Sequence, residues 1–311
     1  MTSEPVVLGP SRRRVYWHTA VTLAVLVGAG CLARRHWPVL ERGAVGLAVA
    51  DQGWLLVGGA AAAATWVCAA LAQQGAVVPR LPQGRLVAAQ FAAGAANHLL
   101  PAGLGAGAVN LRFLMRCGLS AGRAASALAV KGTAAAVVRA VLIVVLAVAC
   151  PGVLRVPRPN LVVLAVVVAA VAGVAVLLAV PRCRRALAVV LADIRAVHAN
   201  PPRAAALWGG QLAFAALHAL VLIAVTQAVA LSLPPARVAL LYVAASSAAA
   251  LLPTPGGLGS LDAALGFALT ASGAPGATAA SAVLGYRLLT VWLPLIPGLV
   301  VLAVLVRRRS L

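Results

Sequence analysis

Leu99-Leu100-Pro101-Ala102-Gly103-Leu104-Gly105 interrupts one long apolar stretch of this 311-residue chain, and Leu251-Leu252-Pro253-Thr254-Pro255-Gly256-Gly257-Leu258-Gly259 interrupts another. Proline removes a backbone donor and clashes with the preceding turn, and glycine lowers helix propensity, so each stretch reads as a broken helix. At membrane depth such a break survives only where protein or a wet cavity satisfies the freed N–H and C=O groups. Two similar breaks predict a site, with Pro101, Gly103, Gly105, Pro253, Pro255, Gly256, Gly257 and Gly259 as its helix-breaking residues. The glycines are expected to permit left-handed turns and close backbone approach, with phosphate cradling by their N–H groups as a secondary role.

Composition places the breaks in a membrane. Hydrophobic residues make up 63% of the chain, charged residues 10%, and the mean hydropathy is +1.03, which excludes a soluble domain. The net charge of +20 comes from arginines between apolar runs, where they fix topology and meet anionic headgroups; nucleic acid is not an expected partner. Lys131 is the only lysine, and the abundance of Arg, Ala, Val, Leu and Gly reads as coding bias rather than chemistry. Cys31, Cys68, Cys117, Cys150 and Cys183 are widely spaced and form no CxxC pair, so they predict neither zinc nor disulfides. His18, His36, His198 and His218 show no ligand spacing, and neither metal nor cofactor is expected. Among so few acids no Ser-His-Asp set, HExxH or paired-carboxylate site can be assembled, and Gly256-Gly257-Leu258-Gly259-Ser260 lacks the lysine of a phosphate-binding loop. The chain is therefore expected not to be an enzyme.

Runs long enough to cross about 30 Å of hydrocarbon occur at residues 16–32, 54–71, 133–150, 161–180, 204–231 and 279–306. The first, preceded by Arg12-Arg13-Arg14, reads as a retained signal anchor. Residues 86–130 and 238–273, each carrying one break, are candidates for re-entrant hairpins or discontinuous helices. Arg12 to Arg14, Arg307 to Arg309 and the loop containing Arg182, Arg184, Arg185, Arg195 and Arg203 all fall on the cytoplasmic side of a six-span arrangement. Arg34, Arg35, Arg42, Arg155 and Arg158 fall outside, unless residues 36–51 lie along the surface with Trp37 and Trp54 as anchors. The expected organisation is a basic cytoplasmic segment 1–14, one membrane domain 15–306 with broken motifs at 97–105 and 251–259, and a basic tail 307–311. Both termini would face the cytoplasm of a multi-pass protein of the cytoplasmic membrane.

The breaks belong to a longer repeat. Leu104-Gly105 aligns with Leu258-Gly259, and the same offset superposes Leu111 on Leu265 and Phe113 on Phe267. After one inserted residue, Gly118 meets Gly273, Ala124-Ala125-Ser126-Ala127 meets Ala279-Ala280-Ser281-Ala282, and Lys131 meets Tyr286, one residue before Arg287. Three expected spans separate the copies, so the copies would face opposite sides. The fold class predicted is all-α, a polytopic membrane protein of about six full spans plus two re-entrant or broken-helix regions related as an inverted repeat, an architecture characteristic of secondary transporters.

Asn97, Pro101, Gly103, Gly105 and Arg112, then Pro253, Gly256, Gly257, Gly259, Asp262 and Tyr286-Arg287 before a proline-containing last span, resemble the flippase-like membrane domain of lysylphosphatidylglycerol synthases and its stand-alone relatives. The resemblance spans roughly residues 15–306, and its second motif is the more specific. It implies a protein that moves phospholipid between leaflets or binds it, without the aminoacyl transfer that a separate soluble domain performs in full-length synthases. The chain departs from the pattern twice: many relatives carry Glu where Asp262 stands, and Ala106 to Ala108 hold no acid where relatives often have one.

Asp262 is one of only five acids. It can cap the helix that follows the second break, or act as counter-ion to Arg287 or Arg112 or contact a cationic headgroup; both readings stay open. Arg112, Arg139 and Arg287 are candidates for phosphate, since guanidinium presents a planar fork to its oxygens. Arg116 and Arg123 read as a solvated face. With Asn97 and Tyr286 these residues form the candidate headgroup set: Asn97, Arg112, Arg139, Asp262, Tyr286 and Arg287. His98 reads as structural. The function expected is lipid translocation or headgroup binding in a central groove, with membrane phospholipids as partners and a homo-oligomer or a lipid-modifying enzyme partner left open. The alternative is a non-transporting membrane partner that regulates an envelope or lipid-modifying enzyme; a third reading, a membrane-embedded transferase, has only Asp262 to supply its acid.

Overall fold

Long runs of Ala, Val and Leu leave the backbone no polar partner but itself, and helices satisfy that demand. The computed structural model describes residues 37–99, 104–151, 188, 191–192, 194–251, 254 and 259–308; no strand occurs among them. Pro101, Gly103, Pro253, Pro255, Gly256 and Gly257 lie outside the described residues, as do the expected spans at 16–32 and 161–180 and the basic segment at 12–14.

The helices are α1 (Trp37–Ala48), α2 (Gln52–Gly75), α3 (Gln83–Leu99), α4 (Leu104–Arg116), α5 (Ala121–Ala149), α6 (Pro201–Ala228), α7 (Pro235–Ala249), α8 (Ser260–Ala271), α9 (Gly276–Arg287) and α10 (Leu293–Arg307). A π-helical turn, Leu288–Trp292, joins the last two. Among the described residues four helical segments are long and apolar enough to cross a membrane: α2, α5, α6 and the continuous stretch from α9 through α10. They coincide with four of the six expected spans.

Each ambiguous stretch resolves into a pair of short helices. α3 and α4 have 17 and 13 residues, about 25 and 20 Å of helix, and α7 and α8 have 15 and 12, about 22 and 18 Å, at 1.5 Å per residue. Within each pair the helices pack on one another. α1 rests on α9, where a side chain at Gly46 would meet Ser281 Oγ at 2.8 Å.

α2 and α6 run antiparallel in the most extensive helix contact. Gly58 of α2 lies against Ala224 and the Val221 carbonyl, Gly75 against the Leu207 backbone, and Gly210 of α6 against the Ala72 backbone. A Cβ at Gly75 would stand 2.4 Å from Leu207 N and one at Gly210 2.7 Å from Ala72 N. Small residues thus let the two backbones touch, the usual device of membrane helix pairs. Around this pair, among the described residues, lie three apolar clusters: one of α3, α4 and the start of α5 around Leu86, Phe113 and Leu114, one of α6 to α9 around Leu222, Leu265 and Leu269, and a smaller one between α5 and α6 around Val130, Ala134 and Leu207.

The two post-break helices end alike. Leu119 N–H bonds to Leu114 O (3.2 Å) and Gly118 N–H to Met115 O (3.0 Å); Ala274 N–H bonds to Leu269 O (3.1 Å) and Gly273 N–H to Thr270 O (3.0 Å). Gly118 and Gly273 carry φ of +91° and +95°, so both helices close in the same glycine-dependent cap. The caps fall on a pair of glycines, Gly118 and Gly273, that the sequence alignment superposes.

Gly105 shows why the first hairpin needs its glycine. An added Cβ would lie 1.9 Å from Ala96 O, so α4 starts in backbone contact with α3. Gly105→Ala is expected to cost at least about 3 kcal/mol of stability through overpacking. Gly107→Ala, whose Cβ meets nothing within 4 Å, should be neutral or gain up to about 1 kcal/mol from helix propensity. Thermal unfolding of the two variants in detergent checks the contrast.

Candidate functional site

Gly259 has φ +81° and turns the chain into α8, whose third residue is Asp262. One carboxylate oxygen, Oδ2, accepts the Gly259 N–H at 2.9 Å. The other, Oδ1, accepts Nε of Arg287 from the end of α9 in an ion pair. Asp262 therefore caps its helix and neutralises an arginine together, one role per oxygen. Arg287 is 4% exposed and Asp262 31%, so the cation is the interior partner. Beside them Thr254 and Ser260 share a hydrogen bond of 2.7 Å across the second break.

One residue before Arg287, the Tyr286 hydroxyl donates to the Tyr242 hydroxyl of α7 at 3.2 Å and lies 3.0 Å from His218 Nδ1 of α6. The His218 ring stacks on Tyr242 with 9° between planes and meets Phe214 edge-on. Arg139, in α5, is close enough to act electrostatically on all three polar rings.

The first half holds a second polar cluster. Lys131 Nζ of α5 donates to Gln90 Oε1 of α3 (3.0 Å), Gln90 Nε2 to Asn110 Oδ1 of α4 (2.6 Å), and Asn110 Nδ2 to Ala106 O (2.9 Å). Gln211 of α6 donates to the Lys131 carbonyl at 3.1 Å. Gln73 of α2 is fully buried, and neither of its amide atoms has a partner among the described residues.

The break-proximal residues of the two halves approach one another. His98, at the end of α3, lies within electrostatic reach of Arg287. It lines a cavity of about 30 Å³ with Trp66, Phe91 and Thr290, room for one water molecule. Asn97 Oδ1 and His98 Nδ1 are buried without a partner among the described residues. Among those residues no three His, Cys, Asp or Glu side chains gather as metal ligands.

Of the candidate set, Asp262, Tyr286 and Arg287 are brought together, Arg139 lies within electrostatic range of the Tyr286 cluster, and Asn97 stands in the last turn of α3. Arg112 is not brought together with them. α4 buries Val109, Asn110, Phe113 and Leu114, a face Arg112 does not share; Arg112 is exposed and forms no ion pair with Asp262. Arg116 and Arg123 are exposed as well. Sequence pattern singles out none of Gln90, Asn110, Gln211 and Tyr242, and it presents His218 only as a histidine without ligand spacing. Their signal was present: Gln90 is the eighth residue of α3 and Tyr242 the eighth of α7, and the repeat sets their partners Lys131 and Tyr286 opposite each other.

Removing Asp262 withdraws the counter-charge from a buried guanidinium, so Asp262→Ala should lose about 3 to 5 kcal/mol. Asp262→Asn keeps an acceptor for Gly259 N–H and should lose less. Melting temperatures of both variants beside the parent chain check the order.

No curated protein matches the chain. The family described as lysylphosphatidylglycerol synthase TM region matches it from residue 21 to residue 298, across both polar clusters and both broken motifs. Four membrane-length apolar helices and a match over most of the sequence lead to one conclusion: the chain belongs to the lysylphosphatidylglycerol synthase TM region family, a membrane family linked to lipid handling.

Proposed function

We propose that the protein is a phospholipid carrier of the cytoplasmic membrane, not an enzyme, which receives an anionic headgroup between its two broken-helix hairpins and passes it between leaflets. In this reading the hairpins α3–α4 and α7–α8 are re-entrant and enter from opposite faces as an inverted repeat, with both termini cytoplasmic. The observation that carries it is the position of Arg287, bonded to Asp262 just after the second break, while Thr290, one turn further on, shares a cavity with His98 just before the first. Among the described residues Lys131, Arg139 and Arg287 outnumber Asp262 as interior charges, and charges at membrane depth mark ligand pathways. That excess of positive donors suits phosphate oxygens. Arg139 is the preferred headgroup contact, because a half-buried guanidinium there has no ion-pair partner among the described residues.

Vesicles of phosphatidylglycerol and phosphatidylcholine containing a trace of fluorescent phosphatidylglycerol test the reading, with dithionite quenching to report the outer leaflet. The parent protein should speed exchange of the probe. Arg139→Leu should slow that exchange about tenfold, the worth of one charge-assisted hydrogen bond, while its melting temperature holds. Vesicles containing the parent protein that exchange probe no faster than empty ones would overturn the transport reading. Binding of phosphatidylglycerol without exchange would favour a regulatory partner instead.

A further inference from the structure

We propose that Lys131, acting through Gln90 and Asn110, is the positioning residue that latches the first post-break helix to the bundle, as the Arg287–Asp262 pair latches the second. The proposal rests on the hairpins being the working parts of the carrier. Ala106, where the Lys131 chain ends, is the third residue of α4, and Asp262 is the third of α8. Lys131 lies 13 residues beyond the left-handed Gly118, and Tyr286 lies 13 beyond the left-handed Gly273. Each then bonds the eighth residue of the preceding hairpin helix, Gln90 or Tyr242. α6 serves both clusters from one face, with Gln211 on Lys131 and, two turns later, His218 on Tyr286. The halves share a scaffold of contacts and fill it with different chemistry.

The first half has no acid at Ala106, so the reach from the cation to α4 is bridged by one amide, Gln90 of α3, which meets Asn110; Asn110 already stands on α4 and bonds back to Ala106 O of its own helix. The chain has one direction. The ammonium has only donors, so it fixes Gln90 with Oε1 toward Lys131 and Nε2 toward Asn110; that in turn turns Asn110 Nδ2 toward Ala106 O. A charge at its head strengthens each following bond, and a flipped amide would set donor against donor. Methionine at 131 removes the head, and alanine at 110 removes the last link while leaving the charge.

Reporter cysteines test the latch in the full chain, with its five native cysteines replaced by alanine and the protein in phosphatidylglycerol–phosphatidylcholine vesicles. Val109→Cys on α4 and Leu269→Cys on α8 are suitable, because both side chains are buried in the parent fold and a thiol there is shielded until its helix comes away. Lys131→Met and, separately, Asn110→Ala should raise maleimide labelling of Val109→Cys roughly tenfold and leave Leu269→Cys within about twofold. Lys131→Arg, which keeps a charged donor, should leave labelling of Val109→Cys low, and Asp262→Ala should expose Leu269→Cys instead. Unchanged labelling of Val109→Cys in both Lys131→Met and Asn110→Ala, or an equal rise at both reporters, overturns the latch. Failure of the transport reading is separable: the parent protein then moves no fluorescent phosphatidylglycerol whatever the labelling pattern.

Discussion

A guanidinium inside an apolar bundle must bring its counter-charge with it, and the second half is arranged around that requirement. Arg287 ends α9, and the carboxylate that neutralises it stands on the first turn of α8. The pair therefore sets where α8 begins, how the chain leaves the second break, and which face of α9 looks inward. Asp262 has a second oxygen to spare, and that oxygen closes the helix start at Gly259. Removing a carboxylate with two such duties disturbs a helix end and a charge together, which is why a buried pair is costly to break even where it adds little net stability.

The two halves solve one problem with unlike means. Phenols, an imidazole and an ion pair tie the second hairpin; an ammonium and two amides tie the first. An ion pair presents a neutral aggregate to the surrounding hydrocarbon, whereas the amide chain leaves the charge of Lys131 standing. Among the described residues, Lys131 and Arg139 of α5 therefore stand without a carboxylate partner on one helix.

Much of the fold could be read from the sequence because membrane helices announce themselves by apolar length. The breaks were legible for the same reason: Leu99 ends one helix and Leu104 opens the next, while Gly259 stands at the threshold of α8. Asp262 was legible as a rare acid after a break, and its pairing with Arg287 was one of the options its position allowed. The polar clusters were not legible as clusters. Lys131 and Gln90 are 41 residues apart, Lys131 and Gln211 80, and His218 and Tyr286 68. Periodicity in a single chain says which residues share a helix face and nothing about what lies across from that face. Arg112 illustrates the same limit: closeness to a break along the chain did not place it on the buried side of α4.

The glycine contacts between α2 and α6 bear on how this molecule can move. Where backbone meets backbone, no side chain can change rotamer to absorb a displacement, and a shift of one helix along the other drives amides into carbonyls at Gly75 and Gly210. That close-packed pair resists sliding as a rigid beam would. Displacement is more easily taken up at the π-helical turn Leu288–Trp292, where the long last helix already departs from regular geometry. A mechanical load applied at one hairpin is then borne by the beam as a whole instead of being dissipated beside it.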